Sequence, residues 1–523
     1  MPTGTPRKAP RRDRRGPVPS HRAPMSSPGI REDPSRKILP WPLPGDSVPD
    51  LIPLLSGQRW LARGSHPMSS VHWRDHLALG DGPRPAVLAL VDVRFGIRDA
   101  SLYLLLLQRT PAPSGFSLRP EVAASRALWS ALGPALARGA RWRTPGGFVE
   151  ARPTGLLRLP PVLVPPHGGI RPLGVEQSNT SLRVGSRYLF KFYRRPGPHP
   201  SPDVEIPLLL WRRTRFHRVP PPLATLVYRP RGSPPRLLGV LSPYLRHHGD
   251  LFQRFLRSLR KEFREPSRAS PHAEIAACRT LGAVSADLHV ALARIREPRW
   301  APRGISPRFR QDLQIAWSRE VETTLRVLGT ALPRVPPEVR PGLQCILRAR
   351  TRLREWIREA ESLQWRGLLR IRVHGDYHLG QILDTPRGFV LVDFEGEPAR
   401  TPGERAGLHP PLKDLGGLLR SLDYVARIAA RDPGSPRAPD LMARARRWRD
   451  AAEAALVEEY RRRLSRSGES GRLAPEDPEE FRKHLRFHLR RKLLYEVRYE
   501  IAFRPAWVGV PLAALRQELD LPP

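Results

Sequence analysis

Apolar and polar positions change rhythm several times along the 523 residues, and each change predicts an element. "VPDLIPLLSGQRWLARG" (48–64) repeats its apolar positions at helical spacing and predicts a helix packing Leu51, Leu54, Leu55 and Trp60. Two strand patterns follow, "AVLALVDVRF" (86–95) and "SLYLLLLQ" (101–108), and the short polar link "GIRDA" makes them a hairpin. Residues 119–138 return to helical period, and "LGVEQSNTSLRVGSRYLFKF" (173–192) reads as two strands around a tight polar turn. Past residue 245 helices dominate, interrupted by "IRVHGDYHLGQILDTPRGFVLVDFEGEP" (371–398), which reads as strand, turn, strand. A sheet-forming part followed by a helical part predicts the α+β class. No internal repeat is visible.

The stretch that interrupts the helices also concentrates chemistry. His374, Asp376, His378, Gln381, Asp393, Glu395 and Glu397 crowd between apolar runs, and Arg387 is the sole arginine from 374 to 397 in a chain otherwise rich in it. Phosphoryl transfer to a hydroxyl needs a carboxylate to take the proton, oxygen ligands for Mg²⁺ and a cation on the nucleotide phosphates. Asp376, in a polar turn after the strand "IRV", can reach a bound hydroxyl. Strands "GQIL" and "FVLV", joined by "DTPRG", bring Gln381 and Asp393 to the same end of a hairpin, and hard Mg²⁺ prefers such oxygen donors.

"HGDYHLGQ" followed by "DFEGEP" resembles the catalytic and metal loops of aminoglycoside-phosphotransferase-like kinases, and specifically those of the maltokinases. Further segments resemble that family in its own order: "LLSGQRWLARG" its N-terminal cap, "GVEQSNTS" and "LFKFYRR" its nucleotide lobe, "DLGGLLRSLDY" the helix after its metal loop, and "YEVRYEIAFRPAWVGVPL" (495–512) its C-terminal signature. The resemblance implies a protein-kinase-like bilobal fold. Residues 46–110 would form the cap, 111–245 an intermediate segment and β-rich nucleotide lobe, and 246–523 a mostly helical lobe. It implies ATP and Mg²⁺ as cofactors, Asp376 as catalytic base, Gln381 and Asp393 as metal ligands, and Glu395 as ligand to a second metal or its waters. His374 would hold the loop by hydrogen bonds, and His378 can face either the acceptor or the core.

On the strand "YLFKF", Lys191 faces away from Phe190 and Phe192, and the resemblance gives it the nucleotide phosphates. Glu205 in "PDVEIPLLL" is its expected ion-pair partner, provided that Pro207 leaves Glu205 at the start of a helix. The turn "EQSNTS" has no glycine run, so Ser178, Asn179, Thr180 and Ser181 would hold phosphates through hydroxyl, amide and backbone N–H groups. In the C-terminal signature Tyr495 and Tyr499 share a helix face, with Arg504 and Trp507 after them, and aromatic rings there would stack on a sugar. The acceptor implied is maltose, phosphorylated on its anomeric hydroxyl to maltose 1-phosphate for α-glucan synthesis. A trehalose synthase would be a non-covalent partner. Two alternatives stand beside this: a related kinase of an amino sugar such as glucosamine, and a non-catalytic scaffold that binds polyanions.

Composition changes the picture little. A formal charge of +39 suggests nucleic acid or an anionic membrane, but only seven of the 89 basic residues are lysine. Arginine, proline and alanine enriched together are what a GC-rich genome writes whatever the function, and we expect neither a nucleic-acid nor a membrane partner. No apolar run approaches the roughly 18–20 residues that span a bilayer. Residues 1–45 are basic and proline-rich with no apolar segment behind the charges, which reads as a disordered tail rather than a secretory signal. Cys278 and Cys345 lie too far apart for a metal clip and suit a reducing, cytoplasmic setting.

Overall fold

The structure, a computed structural model, describes residues 51–56, 61, 68–80, 85–96, 100–109, 116–117, 123–160, 163, 169–174, 179–264, 272–431 and 438–521. The expected tail at 1–45, Trp60 and Ser178 lie outside them.

Two antiparallel sheets come first. β1 (Met68–Leu79), β2 (Ala86–Phe95), β3 (Ser101–Arg109) and β4 (Phe116–Ser117) lie in sequence order. One face of this sheet, with Val87, Val91, Val93, Tyr103 and Leu105, packs on Leu51 and Leu55 of a short helix, Leu51–Ser56. The other face, with Leu88, Leu90, Leu104 and Leu106, joins the core of the second sheet. Burial on both faces is why β2 and β3 read as nearly unbroken apolar runs.

The second sheet contains β5 (Ala140–Thr144), β6 (Gly147–Pro153), β7 (Ile170–Pro172), β8 (Asn179–Val184), β9 (Tyr188–Pro198), β10 (Ala224–Pro230) and β11 (Arg236–Pro243), in the order β5-β6-β10-β11-β9-β8-β7. A helix, Arg126–Arg138, is capped by the Ser125 hydroxyl, which accepts from Leu128 N. It covers the sheet, and Trp129 meets Phe190 edge-on at 5.4 Å between centroids. The expected turn in 173–192 falls at Gly185, so Asn179, Thr180 and Ser181 belong to a strand and pair with Tyr193, Phe192 and Lys191.

From Leu251 onward the chain is helical apart from two small antiparallel pairs, β12 (Arg303–Gly304) with β13 (Leu369–Arg370) and β14 (Ile382–Thr385) with β15 (Gly388–Leu391). The helix His272–Ala293 is long and apolar enough to cross a membrane, but it is mostly buried and places Cys278, Leu281, Leu288 and Leu292 in the lobe's main core. A second core gathers Trp317, Trp356, Phe487, Leu494 and Val497 from the helices Pro307–Ala331, Arg350–Glu361 and Pro478–Phe503. Both cysteines are free.

Of the helix expected at 48–64, the described residues show Leu51–Ser56. Within the helix expected over 119–138, one helix runs Arg126–Arg138 with Ser125 as its cap, and residues 119–122 lie outside the described ones. One local expectation is corrected. The strand "IRV" is reduced to a single bridge, Ile371 with His409, because the backbone beyond it turns to a buried carboxylate: His374 N and Gly375 N donate to Asp414 at 2.7 and 2.9 Å.

Candidate active site

Two clusters meet where the sheet lobe faces the helical lobe. In the first, β9 presents Lys191 on the face opposite Phe190 and Phe192, both fully buried. Its Nζ lies 2.8 Å from Glu395, 3.2 Å from Asp393 and 3.3 Å from Asp203. Burial alone would lower this amine's pKa, yet the three carboxylates outweigh it and hold the pKa well above the ordinary lysine value. For Asp393, burial pushes upward and Lys191 prevails, giving a net lowering. Glu395 ends up at about 7, because burial outweighs the attraction of Lys191 and the charges of Asp393 and Asp203 add to it.

The hairpin β14–β15 positions these groups. Ile382 pairs with Leu391, Val392 N donates to Gln381 O at 3.0 Å, and Gln381 Nε2 donates to Asp393 Oδ2 at 3.0 Å. Asp393 has φ 69°, a left-handed conformation that side chains rarely adopt. That kink turns its carboxylate back toward Gln381 and Lys191.

In the second cluster Asp376 accepts from Lys492 Nζ at 2.8 Å, and Lys492 also bonds Glu397 at 2.9 Å. His378 stands beside Asp376 with Nε2 3.9 Å from its carboxylate, too long for a hydrogen bond, while its Nδ1 accepts from Gly380 N at 3.1 Å. The imidazole is about one-third exposed. Tyr495 stacks its ring 4.8 Å from the Lys492 ammonium. Beyond it Tyr499 and Phe503 continue an aromatic strip, at 6.0 and 4.9 Å between successive rings, with Arg504 over Tyr499 and Trp507 substantially exposed.

His374 joins the clusters. It is buried, its ring lies between Tyr377 and Phe394, and its Nε2 reaches Val392 O at 3.0 Å. Burial lowers its pKa, so the ring is neutral and Nε2 donates, tying the loop of Asp376 to the loop of Asp393. Asp414 holds the same loop from below through His374 N and Gly375 N, and itself contacts His289 at 3.3 Å. Gly416 and Gly417 make this approach possible. A Cβ on Gly417 would sit 2.8 Å from Tyr377 O, and one on Gly416 would sit 2.9 Å from the backbone of His488.

Four predicted residues are placed elsewhere. Glu205 does not pair with Lys191; it binds Arg299 at 3.2 Å. The helix begins at Pro202, which sets Asp203 toward Lys191 and turns Glu205, two residues on, away from it. Thr180 is engaged by Arg194 Nε at 2.8 Å, Ser181 is buried, and Asn179 is half-buried on β8, so these three sit on strand backbone rather than in an open turn. Arg504 and Trp507 do follow at the helix's end, Arg504 as its C-cap, bonded to Glu500, and Trp507 in the short helix Pro505–Trp507. Asp203, Lys492, Asp414 and Arg372 join the site without having been anticipated. Arg372 is fully buried and donates to Phe394 O at 2.9 Å and to Arg405 O at 2.7 Å.

The carboxylates of Asp203, Asp393 and Glu395 offer oxygens all within 4.8 Å of one another, with the Gln381 amide beside them. An all-oxygen donor set of this kind fits a hard divalent cation.

No family model matches the chain. It is 28% identical over 310 residues to a glucosamine kinase of Streptacidiphilus jiangxiensis, covering 58% of this chain and 64% of the relative. It is also 28% identical over 267 residues to a glucosamine kinase of Mycolicibacterium smegmatis, covering 50% and 61%. The aligned part thus spans less than two thirds of either curated relative. A solved glucosamine kinase in complex with glucosamine, ADP and inorganic phosphate superposes with a TM-score of 0.59 at 24% identity, over 90% of this chain and all of that one. The α+β, bilobal kinase-like fold expected from the sequence is the fold found.

Proposed function

We propose that the chain is an ATP- and Mg²⁺-dependent kinase that phosphorylates a hydroxyl of a small sugar, with glucosamine as the acceptor supported by its relatives. One observation carries the reading: a lysine among three carboxylates and a loop aspartate on a second lysine, joined through a single buried histidine. The acceptor oxygen attacks the terminal phosphorus, the bond to the ADP oxygen breaks, and Asp376 takes the hydroxyl proton. Asp393, Gln381 and Glu395 would hold Mg²⁺, which when bound offsets phosphate charge. Lys191, already at the carboxylates, is within reach of the same phosphates, and Lys492 orients Asp376. An electrically idle scaffold would have no need of a left-handed aspartate at this spot.

Maltose is the second reading, favoured by the strip Tyr495, Tyr499 and Phe503, the last 55% exposed, with Trp507, 42% exposed, four residues on. Several rings in line offer stacking area for more than one hexose. A non-covalent trehalose synthase partner belongs with this reading alone. A coupled ADP-release assay of the purified protein against glucosamine, maltose, glucose and an aminoglycoside separates the two. Asp376→Asn is expected to lower turnover about 10²–10⁴-fold with nucleotide affinity little changed. Asp393→Asn should raise the Mg²⁺ concentration needed for half-maximal rate. Wild-type turnover of the accepted sugar by Asp376→Asn would remove this loop from the mechanism.

A further inference from the structure

Behind the Asp376 loop two adjoining cavities of about 50 and 20 Å³ share Gly375, Glu397, Arg400, Lys413 and Arg491 as walls. They touch the backbone just before Asp376 on one side and the end of the metal loop on the other. Neither accommodates a hexose, while each exceeds the roughly 10–15 Å³ that one water-sized occupant needs.

The charges around them do not cancel. Arg400 is bonded to Glu320 and Glu397 at 2.8 and 3.1 Å, Arg491 to Glu320 at 2.7 Å, and Lys492 to Asp376 and Glu397. The Lys413 ammonium has no hydrogen bond or ion pair at contact distance among the described residues, although the walls enclose it and Glu397 and Asp414 attract it from further off. Facing the smaller cavity is His488, 3% exposed, whose Nε2 is buried without a partner. On the larger, Arg405 Nε is likewise buried and unpartnered. Every carboxylate in reach is already shared between two or more donors, leaving one ammonium and two further nitrogen atoms with no hydrogen-bond partner, in walls that carry Arg400, Arg405, Lys413, Arg491 and Lys492 against Glu397 and Glu404. A buried polar group without a partner costs about 1–3 kcal/mol, and an unmatched charge more. Water would satisfy hydrogen bonds but not the surplus charge.

We propose that this cavity is a binding site for a small inorganic anion of halide size, seated between Lys413 and His488. Its charge would tie Lys413 to the ion-pair network that runs from Arg400 through Glu397 and Lys492 to Asp376, so that anion binding stiffens the catalytic loop. Burial lowers the pKa of Lys413, and the pull of Glu397 and Asp414, opposed by Arg491 and Arg400, does not restore it, which fits an ammonium with room for a further counter-ion.

Two measurements on the full chain test this, and neither requires the proposed activity. Crystals grown in bromide should give a bromine anomalous peak between Lys413 and His488 in the wild type and none in Lys413→Met. In solution, replacing gluconate by chloride at constant ionic strength should raise the melting temperature saturably in the wild type, and Lys413→Met should lose the rise. An absent bromide peak in the wild type overturns the site whether or not the variant folds. A peak that persists in Lys413→Met, or a peak with no chloride effect on stability, means an adventitious ion only and also overturns it.

Discussion

Asp203, not Glu205, should prove to be the anchor of Lys191, and the difference is measurable. Asp203 Oδ1 accepts from Phe394 N at 2.9 Å, while Oδ2 accepts from Lys191 at 3.3 Å and from the Tyr193 hydroxyl. The side chain is 9% exposed. In Asp203→Ala, Phe394 N–H and Tyr193 O–H both lose their acceptor, each at about 1–3 kcal/mol, while relief of a desolvated carboxylate returns part of this, for a net loss of about 2–4 kcal/mol. Lys191 itself keeps Glu395 and Asp393. Asp203→Asn retains an oxygen for Phe394 N but cannot accept from lysine and tyrosine together, so about 1–2 kcal/mol is expected. Glu205→Gln removes only a pair with Arg299 in which the side chains are 25% and 45% exposed, for about 0–1 kcal/mol. Urea unfolding followed by tryptophan fluorescence gives the three values from the midpoints at common slope. Because the Phe394 backbone lies between Asp393 and Glu395, both Asp203 variants should also raise the Mg²⁺ requirement, and Glu205→Gln should not. A Glu205→Gln loss equal to that of Asp203→Asn would refute the assignment.

Two further outcomes follow from burial. Glu453 is lifted to about 8, first by burial and then by Asp423 and Asp450, with Arg449 opposing. An acid whose folded pKa is raised takes up a proton on folding, so its contribution is present below about 4.5 and is lost as pH rises through about 8. Glu453→Gln should therefore gain stability relative to wild type at about pH 8.5 compared with about pH 5.5, by urea midpoint; an equal difference at both would refute it. Gly416→Ala puts a methyl 2.9 Å from the His488 backbone and should cost about 1–3 kcal/mol by overpacking, read as an earlier urea midpoint; an unchanged midpoint would show that the helices can separate without loss.

What the sequence reveals here is whatever depends on near neighbours. The β2–β3 and β14–β15 hairpins carry their own turns, the meeting of Gln381 and Asp393 follows from hairpin register, and the outward face of Lys191 follows from strand alternation. β1 escapes such a reading because two register irregularities, between Met68 and Ser70 and between Trp73 and Asp75, break its period of two. Of the turn read at "EQSNTS", Asn179 to Ser181 belong to β8, since polar and small residues serve a strand as well as a loop, and residues 176–178 lie outside the described ones. Asp203 was missed by two residues. Pro202 at the first helical position signals where the helix starts, and once that start is fixed the face of Asp203 is fixed too.

Lys492 and Asp414 have no local signal, since each is placed by partners distant in sequence: Asp376 lies 116 residues from Lys492, and His374 lies 40 from Asp414. A compositional signal did exist. A chain that writes arginine almost everywhere holds seven lysines, and three of them, Lys191, Lys413 and Lys492, line the site or the cavity behind it. The physical difference explains the choice. A guanidinium is a planar fork with fixed donors, whereas an ammonium is a compact point charge with three rotatable donors. Three carboxylates converge on the single Nζ of Lys191 and two on that of Lys492, whereas Arg400 meets Glu320 and Glu397 through different nitrogens of its fork. Arginine substitutions make the point testable. Lys191→Arg and Lys492→Arg preserve charge, so if charge alone mattered both would turn over at near wild-type rate. If the compact ammonium matters, each should lose at least about tenfold in kcat/KM, equivalent to about 1.4 kcal/mol of transition-state stabilisation, while the urea midpoint moves little.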